Sequence, residues 1–279
     1  MENDTVTTVG KSIIQHGKFN DRIYLMKLDK SDNPEILDYM DELALKKKYS
    51  KIFAKVPEYA KKDFLEHGYT VEAHIPGFFN SKKDVYFLGK YFSEDRKNDS
   101  NSELDEKVLK TAISKSNESF SEKHADNFSY RICTEKDIPD IVNVYKKVFE
   151  TYPFPIHDPA YIKKTMNMNV IYFAFFDRDK IVSLSSAEID PDSCNSEMTD
   201  FATLPEYRRL GLSGFLLNIM EKEMKKMDIT TVYTIARACS YGINIVFSKS
   251  GYTYSGKLIN NTNIAGSFES MNVWYKHLI

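Results

Sequence analysis

Between Thr203 and Gly214 the chain reads Thr-Leu-Pro-Glu-Tyr-Arg-Arg-Leu-Gly-Leu-Ser-Gly, joining the strand-like run Met198 to Thr203 to a helical one. Phe215, Leu216, Ile219, Met220, Glu223 and Met227 follow at helical spacing with charges between them. Glycines between a strand and a helix make an anion site: the first amides of a helix lack carbonyl partners and sit at the positive end of its dipole. Gly211 and Gly214 are expected to let a phosphate approach the main chain, with Arg208 and Arg209 adding positive charge. Taken alone, R-x-x-G-x-S also fits an ordinary basic turn before a surface helix.

At 279 residues and 42% hydrophobic content the chain can bury a large core and has room for two domains. Its formal charge of -2 argues against a nucleic-acid partner. Cys133, Cys194 and Cys239 lie far apart, which suggests neither a zinc site nor a disulfide framework and fits a reducing cytoplasm. The histidines show no ligand spacing, so no metal is expected. The polar, acidic start and the short apolar run Val170 to Phe176 indicate a soluble, cytoplasmic protein with no membrane contact. Composition changes between Ser93 and Ser129, dividing the chain into residues 1–92, a polar linker 93–127, and 128–279. Leu104, Val108, Leu109 and Ile113 predict a short linker helix capped by Ser102, and Arg96 to Ser102 and Ser114 to Asn127 are expected to be its most mobile parts.

The glycine loop resembles motif A of the GCN5-related N-acetyltransferases: Gln or Arg, two residues, Gly, one residue, Gly or Ala. Arg208 and Gly211 match, and Ser213 departs slightly at the last position. The resemblance runs from about Phe128 to Ile279 and opens on Tyr130 to Pro139, a strand followed by an acidic helix start and the helical run Ile141, Val144, Tyr145, Val148, Phe149. The whole chain resembles the β-lysine N-acetyltransferases of methanogenic archaea and some bacteria. That likeness rests on Gln15-His16-Gly17, Asn20 to Leu28, Lys51 to Pro57, Thr151 to Ile156, Met198 to Pro205, Asn260-Asn261-Thr262 and Glu269 to Tyr275. It implies a GNAT acyl-CoA N-acyltransferase fold, within the α+β class, for the C-terminal half. It further implies acetyl-CoA as co-substrate with direct transfer in a ternary complex, held by Phe201, Ala202, Thr203, Arg208, Arg209, Leu210, Gly211, Leu212, Ser213, Gly214 and Asn244. The implied substrate is a small diamino acid, (3S)-β-lysine, acetylated on its terminal amine to give a compatible solute, with a lysine 2,3-aminomutase supplying it.

Residues 1–92 alternate in periodicity as β-α-β-α-β-β, the order of the second half of such an acetyltransferase. Phe64-Leu65-Glu66-His67-Gly68-Tyr69-Thr70 is echoed by Phe247-Ser248-Lys249-Ser250-Gly251-Tyr252-Thr253. Two readings stand: a degenerate half-copy of the fold, or a shared helix-glycine-strand idiom. Asp29 to Asn33 occupies the place of the cradle, so this half is expected not to bind the cofactor.

An ammonium of pKa ~10.4 must lose its proton before it attacks a thioester, at a cost of about 4.6 kcal/mol at pH 7. A base is therefore needed, and an oxyanion donor and a proton for the leaving thiolate help. Glu197, eleven residues before Arg208, stands at the spacing of the strand glutamate that serves as base in some family members. Asp200 is the alternative. Strand alternation puts the two on opposite faces unless a bulge intervenes, so one of them is expected to face the cleft. The family tyrosine that protonates the thiolate is replaced by Phe247; Tyr241, Ser240 or a water remain as donors, or the thiolate leaves unaided. For a β-lysine pocket, Glu188, Glu197, Asp200 and Glu269 are candidate partners of the ammonium groups and Arg237 of the carboxylate. Tyr152, in Tyr-Pro-Phe-Pro, is a candidate wall. The alternatives are acetylation of another amine, such as a polyamine, and a catalytically silent acetyl-CoA-binding module. Oligomeric state is not legible.

Overall fold

The computed structural model describes residues 4–120, 128–264 and 266–278. In the N-terminal half the chain forms β1 (Thr5–Val9), β2 (Ser12–Gly17), β3 (Arg22–Lys27), α1 (Glu35–Lys47), β4 (Lys51–Pro57), α2 (Lys61–Glu66), β5 (Thr70–Phe79) and β6 (Lys83–Tyr91). Two helices follow, α3 (Glu94–Lys97) and α4 (Ser102–Ser114). The C-terminal half comprises β7 (Ser129–Ile132), α5 (Ile138–Val148), α6 (Pro159–Met166), β8 (Val170–Asp177), β9 (Lys180–Asp190), β10 (Asn195–Thr203), α7 (Leu212–Lys226), β11 (Thr231–Arg237), α8 (Tyr241–Lys249), β12 (Thr253–Ile264) and β13 (Ser267–His277).

All strands lie in one sheet, ordered β1-β2-β3-β4-β6-β5-β12-β13-β11-β10-β9-β8-β7. The order is nearly a palindrome in structure. β3 and β4 are parallel with α1 between them, as β10 and β11 are with α7 between them; in each half the last two strands close an antiparallel hairpin. The outer strands also correspond, β1-β2 to β8-β9. The halves join where β5 meets β12 at Ala73 and Gly256. There Gly256 is required, since a Cβ would lie 2.1 Å from the Glu72 carbonyl oxygen.

Side-chain alternation sorts the helices onto faces. Phe173 and Phe175 of β8 pack with α7, α8 and Ala112 of α4, whereas Tyr172, Ala174 and Phe176 pack with α5 and α6. In the N-terminal half, Ile23, Leu25, Ile52 and Ala54 pack under α1 and α2. Their neighbours Tyr24 and Phe53 face the other way and join Tyr233, Val273 and Met271 of the second half in a common core.

The linker differs from expectation. Its helix begins at Ser102, with Asn101 in the cap position, and the stretch from Arg96 onward is tied into the interior rather than loose. Arg96 is 3% exposed and donates to the carbonyls of Asn260 (2.7 Å) and Asn20 (2.8 Å) and to Ser50 Oγ (3.0 Å). Asp99 meets Lys257 at 2.6 Å. A charged group at the start of a polar run looks solvated in sequence; here it satisfies buried carbonyls at the seam between halves. Of the second flank, residues 121–127 lie outside the described residues.

Candidate active site

β10 and β11 pair only through Asn195, Ser196 and Glu197 with Thr231, Val232 and Tyr233, and then diverge. The wedge between them opens on a cavity of about 790 Å³. Beyond β10 the loop takes left-handed backbone at Arg209 (φ 67) and at Gly211 (φ 78), the N-cap of α7. Glycine adopts that conformation without steric cost. The main-chain amides from Arg209 to Ser213 have no partner among the described residues. Thr203 Oγ1 reaches Ser213 Oγ (3.1 Å) and Ser183 Oγ (2.8 Å), fixing the helix start to the sheet. Unpaired amides, a positive helix end and two arginines bordering one cavity suit the diphosphate of the expected co-substrate.

Of the residues expected to hold it, Phe201, Thr203, Arg208, Arg209, Gly211, Leu212 and Ser213 border the cavity. Four others are placed elsewhere. Ala202 is buried under α5 and α6, and Leu210 packs beneath α7. Gly214 gives its amide to Gly211 and its missing side chain to the ring of Phe120: a Cβ there would lie 2.4 Å from the ring. Asn244 is fully buried with its amide committed, donating to the carbonyls of Arg237 (2.9 Å) and Ser240 (2.7 Å) and accepting from Asn272 and Trp274 (both 2.9 Å). It anchors α8 to β13 and has no hydrogen-bonding capacity left for a ligand.

Both candidate bases border the same cavity, contrary to the expectation that one would turn away. The cause is a bulge: Thr199 pairs with Ser186 but Ala202 with Leu184, so one extra residue enters β10, with Asp200 in left-handed backbone at φ 57. Glu197 pairs in register with Glu188 and Tyr233, and all three point to the cavity face. Burial, reinforced by the Glu188 carboxylate, pushes Glu197 up to about 8. Glu188, open to the cavity, is also raised, by desolvation against the opposing charge of Lys55, with the Asp200 charge adding to the rise. Asp200 is raised by burial, with opposing hydrogen bonds from Ser186 Oγ (2.5 Å) and the Tyr152 hydroxyl. Its oxygens accept from Ser186 and Tyr152, so it fixes Tyr152 and the Tyr-Pro-Phe-Pro loop, whereas Glu197, hydrogen-bonded by Tyr233, has its carboxyl raised at the cavity face.

The remaining expectations divide. Tyr241 is 37% exposed and does not border the cavity; Ser240 does, as the N-cap of α8 with its hydroxyl not used in capping. Phe247 is fully buried against Phe201 and Tyr252. Arg237 and Glu269 neutralise each other in a two-pronged pair at 2.6 and 2.7 Å, so neither presents a free charge to a substrate.

Comparison with known proteins agrees with this geometry. The acetyltransferase (GNAT) family pattern matches residues 138–243, from the start of α5 into α8. The chain is 47% identical over 276 residues, covering 98% of both chains, to a protein of Methanococcus maripaludis named beta-lysine N(6)-acetyltransferase. It is 35% identical, over 96% of each chain, to N-acetyltransferase YodP of Bacillus subtilis. A beta-lysine N(6)-acetyltransferase of Methanosarcina mazei is 31% identical over 88% of this chain and 97% of that one. The chain belongs to the GNAT acetyltransferase family. It is an N-acetyltransferase whose co-substrate is acetyl-CoA.

In this acetyltransferase the N-terminal half supplies a wall of the active-site cavity, which the sequence did not disclose. Arg22, Tyr24 and Met26 of β3 and Phe53 and Lys55 of β4 all border it. Tyr24 stacks on Phe53 with ring centroids 4.6 Å apart. The signal lay in Asn20 to Leu28 and Lys51 to Pro57, two of the segments that carry the family likeness. A half that lacks a cofactor loop can still face the cavity.

Proposed function

We propose that this enzyme transfers the acetyl group of acetyl-CoA to the terminal, N6 amine of (3S)-β-lysine. The observation that carries the reading is the ionisable floor of the cavity, where Glu197 and Glu188 stand side by side next to the cradle, in a chain nearly half identical throughout to a relative bearing that activity's name.

Acetyl-CoA supplies the acyl group as an activated thioester. The amides of Arg209 to Ser213, with Arg208 and Arg209, would hold its diphosphate. Glu197 takes the ammonium proton: with its pKa near 8, the transfer from a group of pKa ~10.4 is uphill by about 3 kcal/mol, against about 8 for an ordinary glutamate. Glu188 attracts and orients the cationic substrate, and Asp200 sets the wall through Tyr152. With Phe247 at the position of the family's tyrosine, Ser240 or water would give the leaving thiolate its proton, and a thiol pKa of ~8.5 makes that assistance modest. Supply of the substrate by a lysine 2,3-aminomutase, a cytoplasmic location and a compatible-solute role for the product belong to the same reading.

The test is to offer purified protein acetyl-CoA with β-lysine, α-lysine and spermidine, following thiol release and identifying the product by mass and fragmentation. The reading expects β-lysine to be used best and acetylated on its terminal nitrogen. Preference for spermidine would point to a polyamine enzyme, and cofactor binding without thiol release to a silent module; either result sinks it.

A further inference from the structure

A β-lysine molecule carries one carboxylate, and Arg237, the cation expected to receive it, is already neutralised by Glu269. Another guanidinium borders the cavity. Arg22, at the start of β3, is 4% exposed. Its described hydrogen bonding consists of Nη1 donating to the carbonyl of Asn261, and Nε is buried with no partner. No carboxylate of the described residues lies within ion-pair distance of it. The other buried cations of the seam are provided for: Lys51 holds Glu72 at 2.9 Å, Lys257 holds Asp99 at 2.6 Å, and Arg96 has three short acceptors and Asp21 at 4.0 Å. The acids whose charge acts on Arg22, Asp4 and Glu72, are both engaged, Glu72 with Lys51 and Asp4 with Asn20. Burial pulls the Arg22 guanidinium down only to about 10, so it stays charged.

A buried, charged and incompletely bonded guanidinium is costly unless a ligand completes it. What it lacks is an anion with two oxygens, the geometry a guanidinium binds best. The surroundings fit an extended chain leading away from such an anion. The guanidinium lies 5.4 Å from the ring centre of Tyr24 and 5.6 Å from that of Phe53. Tyr24 in turn packs in one buried cluster with Tyr233, the register partner of Glu197, which itself pairs with Glu188. Cation, aromatic rail and acidic pair therefore follow one another along one cavity wall, in the order carboxylate, methylene chain, amine of an ω-amino acid.

We propose that Arg22, contributed by the half of the molecule that lacks a cofactor loop, binds the carboxylate of the substrate and so selects amino acids over simple diamines and polyamines. This deepens the β-lysine reading and rests on it.

The experiment compares β-lysine with pentane-1,4-diamine, the same molecule without its carboxylate, in the unaltered enzyme, Arg22→Gln and Arg22→Lys. Acetyl-CoA binding is measured calorimetrically in each as a control for fold. The unaltered enzyme should favour β-lysine over the diamine by roughly 100-fold or more in kcat/KM. Arg22→Gln should raise KM for β-lysine by about that factor while changing the diamine's kinetics less than about threefold, with Arg22→Lys in between. Equal use of both amines by the unaltered enzyme would overturn the proposal without reference to any variant, leaving β-lysine acetylation standing. So would an Arg22→Gln enzyme that binds acetyl-CoA and loses activity equally on both amines. Absence of any β-lysine turnover would instead remove the parent reading, and this proposal with it.

Discussion

Glu197 is the base of the proposed mechanism, and its raised pKa has two consequences of opposite sign. For catalysis the carboxylate must be ionised, so kcat/KM for the amine should rise with pH through about 8 before any limb from the substrate's own ammonium near ~10.4. Glu197→Gln should remove the lower limb and reduce kcat by roughly 10²–10⁴, as read from a pH–rate profile. For stability, the folded state keeps a proton that the unfolded chain releases above ~4.3. Wild-type stability should therefore fall as pH rises from about 4 to about 8 and then level off. Glu197→Gln escapes that loss: melting curves should match near pH 4 and show the variant higher by roughly 2–4 °C or more above pH 8. Asp200 behaves differently because its oxygens are engaged by Tyr152 and Ser186. Tyr152→Phe should lower kcat/KM about tenfold through loss of wall geometry, without moving the limb near 8. A displaced limb would transfer the base role to Asp200. The sequence offered both carboxylates at once, since spacing names residue types but a one-residue bulge decides which way Asp200 turns.

The glycine loop makes a prediction that separates two glycines the sequence treats alike. Gly211 sits in left-handed backbone at the N-cap, where alanine costs about 1–2 kcal/mol, whereas Gly214 is an ordinary helical residue under Phe120. Gly211→Ala should weaken acetyl-CoA binding about tenfold or more by displacing the amides. Gly214→Ala should change that affinity less than about threefold yet lower Tm, since the new methyl drives into the Phe120 ring. In a double-mutant cycle, Phe120→Ala should cost less in the Gly214→Ala background than alone. Calorimetric titration and melting curves read both effects. Periodicity made α7 visible, because it buries one stripe and exposes the other side, whereas β3, β4 and β11 were visible as short apolar runs that are buried on both faces. β1 and β2 were not, as Thr5–Val9 mixes threonines with exposed positions and has no apolar face. The role of Gly214 was invisible because its partner comes from the segment that composition marks as linker.

At the scale of the molecule, the two halves repeat one strand order about the β5–β12 seam, which favours the half-copy over a shared local idiom. The register places Tyr24 of the first half where Glu197 stands in the second, each two residues past the first pair of its parallel ladder: Arg22 pairs with Lys51 and Tyr24 with Phe53, as Asn195 pairs with Thr231 and Glu197 with Tyr233. In the first half, the place of the phosphate loop is filled by Asp32, whose carboxylate accepts from Lys11 N, Ser12 N and Ser12 Oγ at 2.7–2.8 Å. An acid there puts negative charge where the second half carries Arg208 and Arg209, and ties the loop to the β1–β2 turn. The succession β-α-β-α-β-β from β3 to β6 was legible from the alternation of periods, but the two strands before it and the sharing of one cavity were not, because the cavity depends on how β3 and β10 come to border the same space. The seam also predicts that residues 128–279 do not make an enzyme alone. Without the first half, β12 becomes an open edge, and Asn260, Asn261, Thr262 and Asn263, all at most 9% exposed, lose partners such as Arg96, Arg22, Asn20 and Phe19. The cavity would also lose the wall bearing Arg22 and Tyr24. Expressed by itself, this segment should aggregate or remain molten by near-ultraviolet circular dichroism and show no amine acetylation, although it contains the whole family-pattern region. Co-expression with residues 1–120 should restore a soluble complex and activity. A well-folded, fully active 128–279 fragment would show that the first half neither completes the sheet nor builds the substrate site.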